Sequence, residues 1–221
     1  YYASNGWAPG WYYPTTQWHE PANYTVAPAN FVAGDFNGDG RQDLAVAWSV
    51  FPHTVMKPTY PVTILLNDGK GSLVYSPDTF PAGTSAPSRL MHYRIKAADF
   101  NRDGADDLII GSFGILERDN AGRITDTNEP LSLILSDGKG KLYDASNRIE
   151  GQESGGLPVG YRWAHDLSVG DVNGDGAADF FAGKCLFLND GSGRFRQATE
   201  ALPPQFRNVL QSSVHYVFRH R

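Results

Sequence analysis

A single cysteine, Cys185, stands in this chain of 221 residues, so no disulfide framework holds it together. A buried core thiol is the expectation for Cys185, and it neither supports nor excludes secretion. No run of 18 apolar residues occurs, which excludes a transmembrane helix. Basic residues are the minority, 19 Lys and Arg against 24 Asp and Glu, and no basic patch stands out; the net charge of -5 argues against a nucleic-acid partner. Enzyme signatures are missing too: there is no G-x-S-x-G, no H-E-x-x-H, no Walker loop and no Cys/His zinc cluster. His19-Glu20 is followed by Pro21, and His53, His92, His215 and the pair His165-Asp166 are expected to be structural rather than catalytic. Tyr1 is neither an initiator Met nor the start of a signal peptide, which points to a processed or excised chain.

Turn formers and aromatic residues are plentiful instead. With 24 Gly, 14 Pro and 13% aromatics the composition is that of an all-β, turn-rich globular protein, and the length fits one domain. Residues 1–28 stand apart as an irregular arm. Trp7, Trp11, Tyr12, Tyr13 and Trp18 crowd there among Pro and Gly, either packing against the rest or offering a platform for sugar rings or a partner. Asn23-Tyr24-Thr25 matches a glycosylation sequon.

One nine-residue pattern, D-x-N-x-D-G-x-x-D, occurs three times. Its copies are Asp35-Phe-Asn37-Gly-Asp39-Gly-Arg41-Gln-Asp43, Asp99-Phe-Asn101-Arg-Asp103-Gly-Ala105-Asp-Asp107 and Asp171-Val-Asn173-Gly-Asp175-Gly-Ala177-Ala-Asp179. Oxygen side chains fall at positions 1, 3, 5 and 9, and the glycine at position 6 permits a sharp bend around one point. Hard cations want six to eight oxygens, so the pattern reads as a calcium loop, with the position-7 carbonyl as a further donor and about three ions in all. Asp, Asn and Gly also build metal-free turns. Three closely spaced carboxylates, however, repel one another unless a cation neutralises them, and nine of the 24 acidic residues sit at the ligand positions of these loops. An EF-hand would need an acid at position 12, where Val46, Ile110 and Ala182 stand. The flanks, Phe31–Phe36 and Asp43–Trp48 in the first copy, are apolar and β-branched, so each loop joins two strands.

The loops recur at spacings of 64 and 72 residues, and each period carries a second signature. Val62–Gly71, Leu131–Gly140 and Cys185–Gly193 each read as a strand ending in an Asp-Gly turn, followed by a strand from Leu73, Leu142 or Phe195. Four strands per period predict a β-propeller blade. The blades are expected at about 29–84, 85–156 and 157–204, with a partial fourth in 205–221 that includes Val209–Phe218. Three blades do not close a ring, so a longer parent protein, strands from the termini or several chains must complete it.

The paired signature, G-D-F-N-G-D-G-x-x-D-L followed by L-L-N-D-G-x-G-x-F, resembles the VCBS/FG-GAP repeat of integrin-α-like propellers and of many bacterial and fungal extracellular proteins, over roughly residues 29–200. The resemblance implies calcium bound between the first two strands of each blade. Its ligands would be Asp35, Asn37, Asp39, the Arg41 carbonyl and Asp43, and the equivalent sets Asp99, Asn101, Asp103, Ala105, Asp107 and Asp171, Asn173, Asp175, Ala177, Asp179. The short Gly-Ala-Pro piece of integrins is absent, which favours the bacterial or fungal style. Segments Phe51–Tyr60, Ile115–Pro130 and Ser154–Trp163 read as variable loops, where recognition concentrates. The second of them is highly charged, with Glu117, Arg118, Asp119, Arg123 and Asp126.

Two functions fit. The first is a secreted or cell-surface calcium-binding module that adheres to a glycan, a protein or copies of itself, since weakly charged calcium loops suit millimolar extracellular calcium. The alternative is the propeller of a secreted polysaccharide-active enzyme such as a lyase, which needs Arg, Lys, His or Tyr converging on a substrate carboxylate.

Overall fold

The computed structural model describes residues 25–51, 60–89, 92–112, 115–118, 124–127, 129–154 and 166–205. Most of the aromatic arm, His53, His165, His215 and Val209–Phe218 lie outside them. Three four-stranded antiparallel meanders make up the architecture. In the first, β1 (Thr25–Gly34) pairs with β2 (Asp43–Phe51), β2 with β4 (Thr63–Asn67) and β4 with β5 (Leu73–Tyr75). The second runs β7 (His92–Ala98), β8 (Asp107–Ser112), β11 (Ser132–Ser136) and β12 (Leu142–Asp144). The third runs β13 (Leu167–Gly170), β14 (Asp179–Ala182), β15 (Cys185–Asn189) and β16 (Phe195–Gln197). The four strands expected of each period are therefore present, with the acidic loop joining the first two and the Asp-Gly turn joining the last two.

β1 starts at Thr25, inside the segment set apart as the arm. Two small additions were not expected. Tyr60–Pro61 (β3) pairs with Ser88–Arg89 (β6), and the segment expected as a loop after residue 115 contains an antiparallel hairpin, β9 (Ile115–Arg118) with β10 (Ile124–Thr127). A 3-10 turn follows the last strand of each four-stranded sheet, at Pro77–Thr79, Ser146–Arg148 and Thr199–Ala201.

Strand alternation stacks the sheets. Side chains of a strand point alternately to its two faces, so a strand apolar at every position is buried on both. β8 and β11 are buried throughout because the second sheet lies between the other two. Leu108, Ile110 and Ile134 pack with Ala45, Ala47 and Ile64 of the first sheet. Ile109, Leu133 and Leu135 face the opposite way and pack with Phe180, Phe187 and Phe195 of the third. In that second core Phe180 stacks on Phe187 with ring centroids 4.6 Å apart, and Phe100 meets Phe195 edge-on at 5.4 Å. The first strands lie side by side, β7 touching both β1 and β13. Consecutive blades that adjoin at their first strands and stack face to face are propeller-like, and the described residues do not close a ring. Cys185 is buried in the second core, where burial pushes its thiol pKa up.

His92 is a buried polar exception. Its Nε2 lies 3.4 Å from the Ser132 hydroxyl, and its Nδ1 has no hydrogen-bond partner among the described residues. Burial, aided by the charge of Arg89, lowers its pKa to about 3. The folded state thus holds a neutral imidazole, whereas the unfolded chain takes up a proton below about pH 6.5. Stability from this group is complete above that pH and is lost as pH falls towards 3, by at most about 1.4 kcal/mol per pH unit. Urea unfolding from pH 6.5 to 5 should show a wild-type slope that His92→Gln flattens; parallel profiles would refute the assignment. Differencing the two proteins cancels carboxylates common to both.

Candidate metal loops

All three loops fold alike, with backbone amides turned in on the acidic side chains. In the first, Asp35 accepts from the N–H of Asp39 at 3.1 Å and of Gly40 at 2.7 Å, while Asn37 accepts from the same Asp39 N–H at 3.0 Å. The Asn37 amide donates to the Asp39 carboxylate at 2.8 Å, and the other oxygen of Asp39 accepts from Arg41 N–H at 2.9 Å. Asp99, Asn101 and Asp103 repeat these bonds, as do Asp171, Asn173 and Asp175. Positions 1, 3 and 5 thereby gather two carboxylates and an amide at a solvent-facing mouth.

The position-9 carboxylates have a different place. Asp43, Asp107 and Asp179 are almost wholly buried, at 1%, 0% and 0% exposure. Each ties the start of its loop to the end of the third strand. Asp43 accepts from Phe36 and Asn67 N–H, Asp179 from Val172 and Asn189 N–H, and Asp107 from Phe100, Asn101 and Ser136 N–H at 2.7, 3.2 and 2.6 Å. Sequence spacing alone grouped these aspartates with the other ligands; their role as struts between strands depends on the third strand, more than 20 residues away in the first two sheets. Among the described residues, no three Asp, Glu, His or Cys side chains converge closely enough to hold a metal. The donor set itself is hard oxygen throughout and fits calcium chemically.

Electrostatics separate mouth from strut. Burial raises the pKa of Asp43, and it pushes that of Asp107 up to about 8 against its N–H donors, with repulsion from Asp103 adding to the rise. For Asp39 and Asp175 at the mouths the direction is the reverse. Asp39 is held below the ordinary value because the Asn37 amide, the Arg41 N–H and the Arg41 guanidinium outweigh its desolvation. Asp175 is lowered by the Ala177 N–H first, then by Asn173 and Arg102. Arg41 pairs with Asp39 within the first loop and also donates to the Asn67 carbonyl at 3.0 Å.

Arg102 was not singled out by sequence. It occupies position 4, where the other loops have Gly38 and Gly174 in left-handed conformation, and it adopts the same backbone at φ 61°. That conformation costs a non-glycine residue about 1–2 kcal/mol. Its side chain crosses to the third loop, donating to the Asp175 carbonyl at 3.0 Å and packing over Gly191. The departure from glycine at position 4 was the visible signal. Between the first two loops, Asp106 accepts from Asp35 N–H at 2.9 Å, and its own N–H donates to the Asp35 carbonyl at 2.7 Å.

A shallow groove of about 500 Å³ lies beside the third loop, and among the described residues Arg148, Arg194, Arg196, Glu150, Glu153 and Asp175 are part of its lining. No helix among the described residues is long and apolar enough to cross a membrane.

Comparison with known proteins bears on these loops. No curated protein matches the chain. Similar solved structures include the exotype rhamnogalacturonan lyase YesX, 16% identical over 78% of this chain and 41% of that one, with a TM-score of 0.33. The rhamnogalacturonan lyase PL11 of Bacillus licheniformis is 16% identical over 79% and 42%, at 0.32. The V. cholerae biofilm matrix protein Bap1 is 19% identical over 79% and 30%, at 0.24. This chain spans less than half the length of each, and such TM-scores do not establish a common fold. A family model, by contrast, matches residues 35–110, from the first loop through the second loop and into β8. Residues 35–110 are therefore similar to the FG-GAP-like repeat.

Proposed function

We propose that this protein is an extracellular calcium-binding propeller module that binds a glycan or a protein partner, with calcium making its blades rigid. The observation that carries the proposal is the threefold recurrence of one loop geometry, each copy holding two carboxylates and an amide at an exposed mouth over a third, buried carboxylate. Asp35, Asn37 and Asp39 with the Arg41 carbonyl would hold the first ion; the second set would use Asp99, Asn101, Asp103 and Ala105, the third Asp171, Asn173, Asp175 and Ala177. Asp43, Asp107 and Asp179 complete the sets implied by the repeat. Calcium supplies positive charge that offsets carboxylate repulsion, and the loops then fix the first two strands of each blade so that surface loops present a preorganised face. A lyase is the second reading: the groove offers Arg148, Arg194 and Arg196 for an acidic sugar, and polysaccharide turnover separates it from the first.

Thermal unfolding with calcium and with a chelator tests the metal. Each site filled at a hundred times its dissociation constant stabilises the folded state by about 2.7 kcal/mol, on the order of 5–10 °C per site for a chain of this size. That shift is expected for the wild type and should vanish when Asp35, Asp99 and Asp171 are all changed to Ala. Because the carboxyl of Asp107 titrates near 8 without a cation, calcium must displace its proton at lower pH, so the shift should be larger at pH 8 than at pH 5. No shift at either pH would sink the calcium proposal. Glycan-array and pull-down binding in calcium then test recognition, and turnover of a polysaccharide would overturn the non-catalytic assignment.

A further inference from the structure

We infer that Arg41 and Arg102 are resident cations of the first and third mouths, and that each weakens calcium there by holding a positive charge against the carboxylate at loop position 5. The inference rests on the calcium reading above and deepens it. The two arginines stand at different places in the pattern and depart from their counterparts. Arg41 is at position 7, where the other loops have Ala105 and Ala177; Arg102 is at position 4, where they have Gly38 and Gly174. Their guanidinium groups nevertheless reach the same spot, between the position-5 aspartate and the glycine of the Asp-Gly turn. Arg41 stays within its own sheet: it pairs with Asp39 and lies along Gly69, where an added Cβ would meet its Cδ at 3.4 Å. Arg102 comes from the neighbouring loop: its Nη2 is 3.9 Å from Asp175 Oδ1, and a Cβ on Gly191 would meet its Cζ at 3.0 Å. Gly69 and Gly191 are equivalent turn glycines, so one niche is filled twice by a guanidinium of separate origin. In the second sheet the equivalent Gly138 lies against Asp103 itself, and among the described residues no Lys or Arg pairs with Asp99 or Asp103.

A guanidinium beside a carboxylate opposes calcium in two ways. It occupies an oxygen that the metal would use, as Arg41 does at the Asp39 oxygen that also accepts from the Asn37 amide at 2.8 Å. It also repels the metal directly, as like charges do. The two arginine side chains are 45% and 50% exposed, so water and salt screen that repulsion. The effect is therefore modest, about two- to tenfold in dissociation constant, on the scale of an exposed charge pair with a doubly charged partner. The affinity of the third loop is thereby set by a residue of the second.

Calcium titration of the glycine-labelled chain, followed by amide NMR, tests this one loop at a time. The Gly40 and Gly176 N–H groups donate to Asp35 and Asp171 at 2.7 and 2.8 Å, so their shifts report the first and third loops separately. At low salt Arg102→Gln should lower the Gly176 midpoint about two- to tenfold and leave that of Gly40 in place, and Arg41→Gln should do the reverse. Arg102→Gly, which restores the residue of the other two loops, should act as Arg102→Gln does, and salt at about 1 M should shrink every difference. A brace that merely holds the loop gives the opposite sign, because its removal raises the midpoint. An own-loop midpoint that is unchanged or raised in these variants, with calcium still binding, would overturn this inference alone. No response of Gly40 or Gly176 to calcium in the wild type would sink the calcium reading and this inference with it.

Discussion

Asp107→Ala, measured by urea unfolding in the presence of a chelator, is expected to cost about 3 kcal/mol or more. The carboxylate lies at 0% exposure and accepts three backbone N–H groups, from Phe100, Asn101 and Ser136. Alanine leaves all three donors without an acceptor, and a buried unsatisfied amide costs about 1–3 kcal/mol. Relief of the buried acid returns part of that loss, since burial already pushes its pKa up to about 8. Asp107→Asn should fare little better, because its NH₂ would face one of the N–H groups that the second oxygen now accepts. Asp103→Ala provides the contrast. Its carboxylate sits at the exposed mouth, and its loss in chelator should cost no more than about 1 kcal/mol. Equal effects for Asp103 and Asp107 would mean that position 9 is not a strut.

The second large effect concerns one loop position in two environments. Phe100→Ala is expected to destabilise the protein by about 3–5 kcal/mol, the usual range for emptying a buried aromatic site. Its ring is fully buried between the second and third sheets, edge-on to Phe195. Val172 holds the same position in the third loop and is 62% exposed, so Val172→Ala should stay within about 0.5 kcal/mol. Denaturant unfolding of the two variants decides the matter. Comparable losses would show that Val172 is covered, contrary to its observed exposure.

Much of this molecule was legible in its residues. Three copies of D-x-N-x-D-G-x-x-D located the loops, because oxygen side chains at alternate positions and a glycine bend constrain local backbone whatever surrounds them. The Asp-Gly turns and the apolar runs beside them placed all twelve strands of the three main sheets, since hairpin chemistry and strand propensity act over a few residues. The β9–β10 hairpin escaped because its charged sequence gives no alternation of apolar and polar residues.

Tertiary structure decided what periodicity could not. Asp43, Asp107 and Asp179 became buried struts because a third strand brings Asn67, Ser136 and Asn189 against them. Arg102 keeps a backbone suited to glycine because its guanidinium reaches a loop 73 residues away. Phe100 became core and Val172 surface although the motif treats them alike. The local pattern determined bends, strands and the chemistry of the donors, which depend on neighbours in the chain; burial, pKa and exposure depend on neighbours in space, and those arise only when one sheet packs on the next.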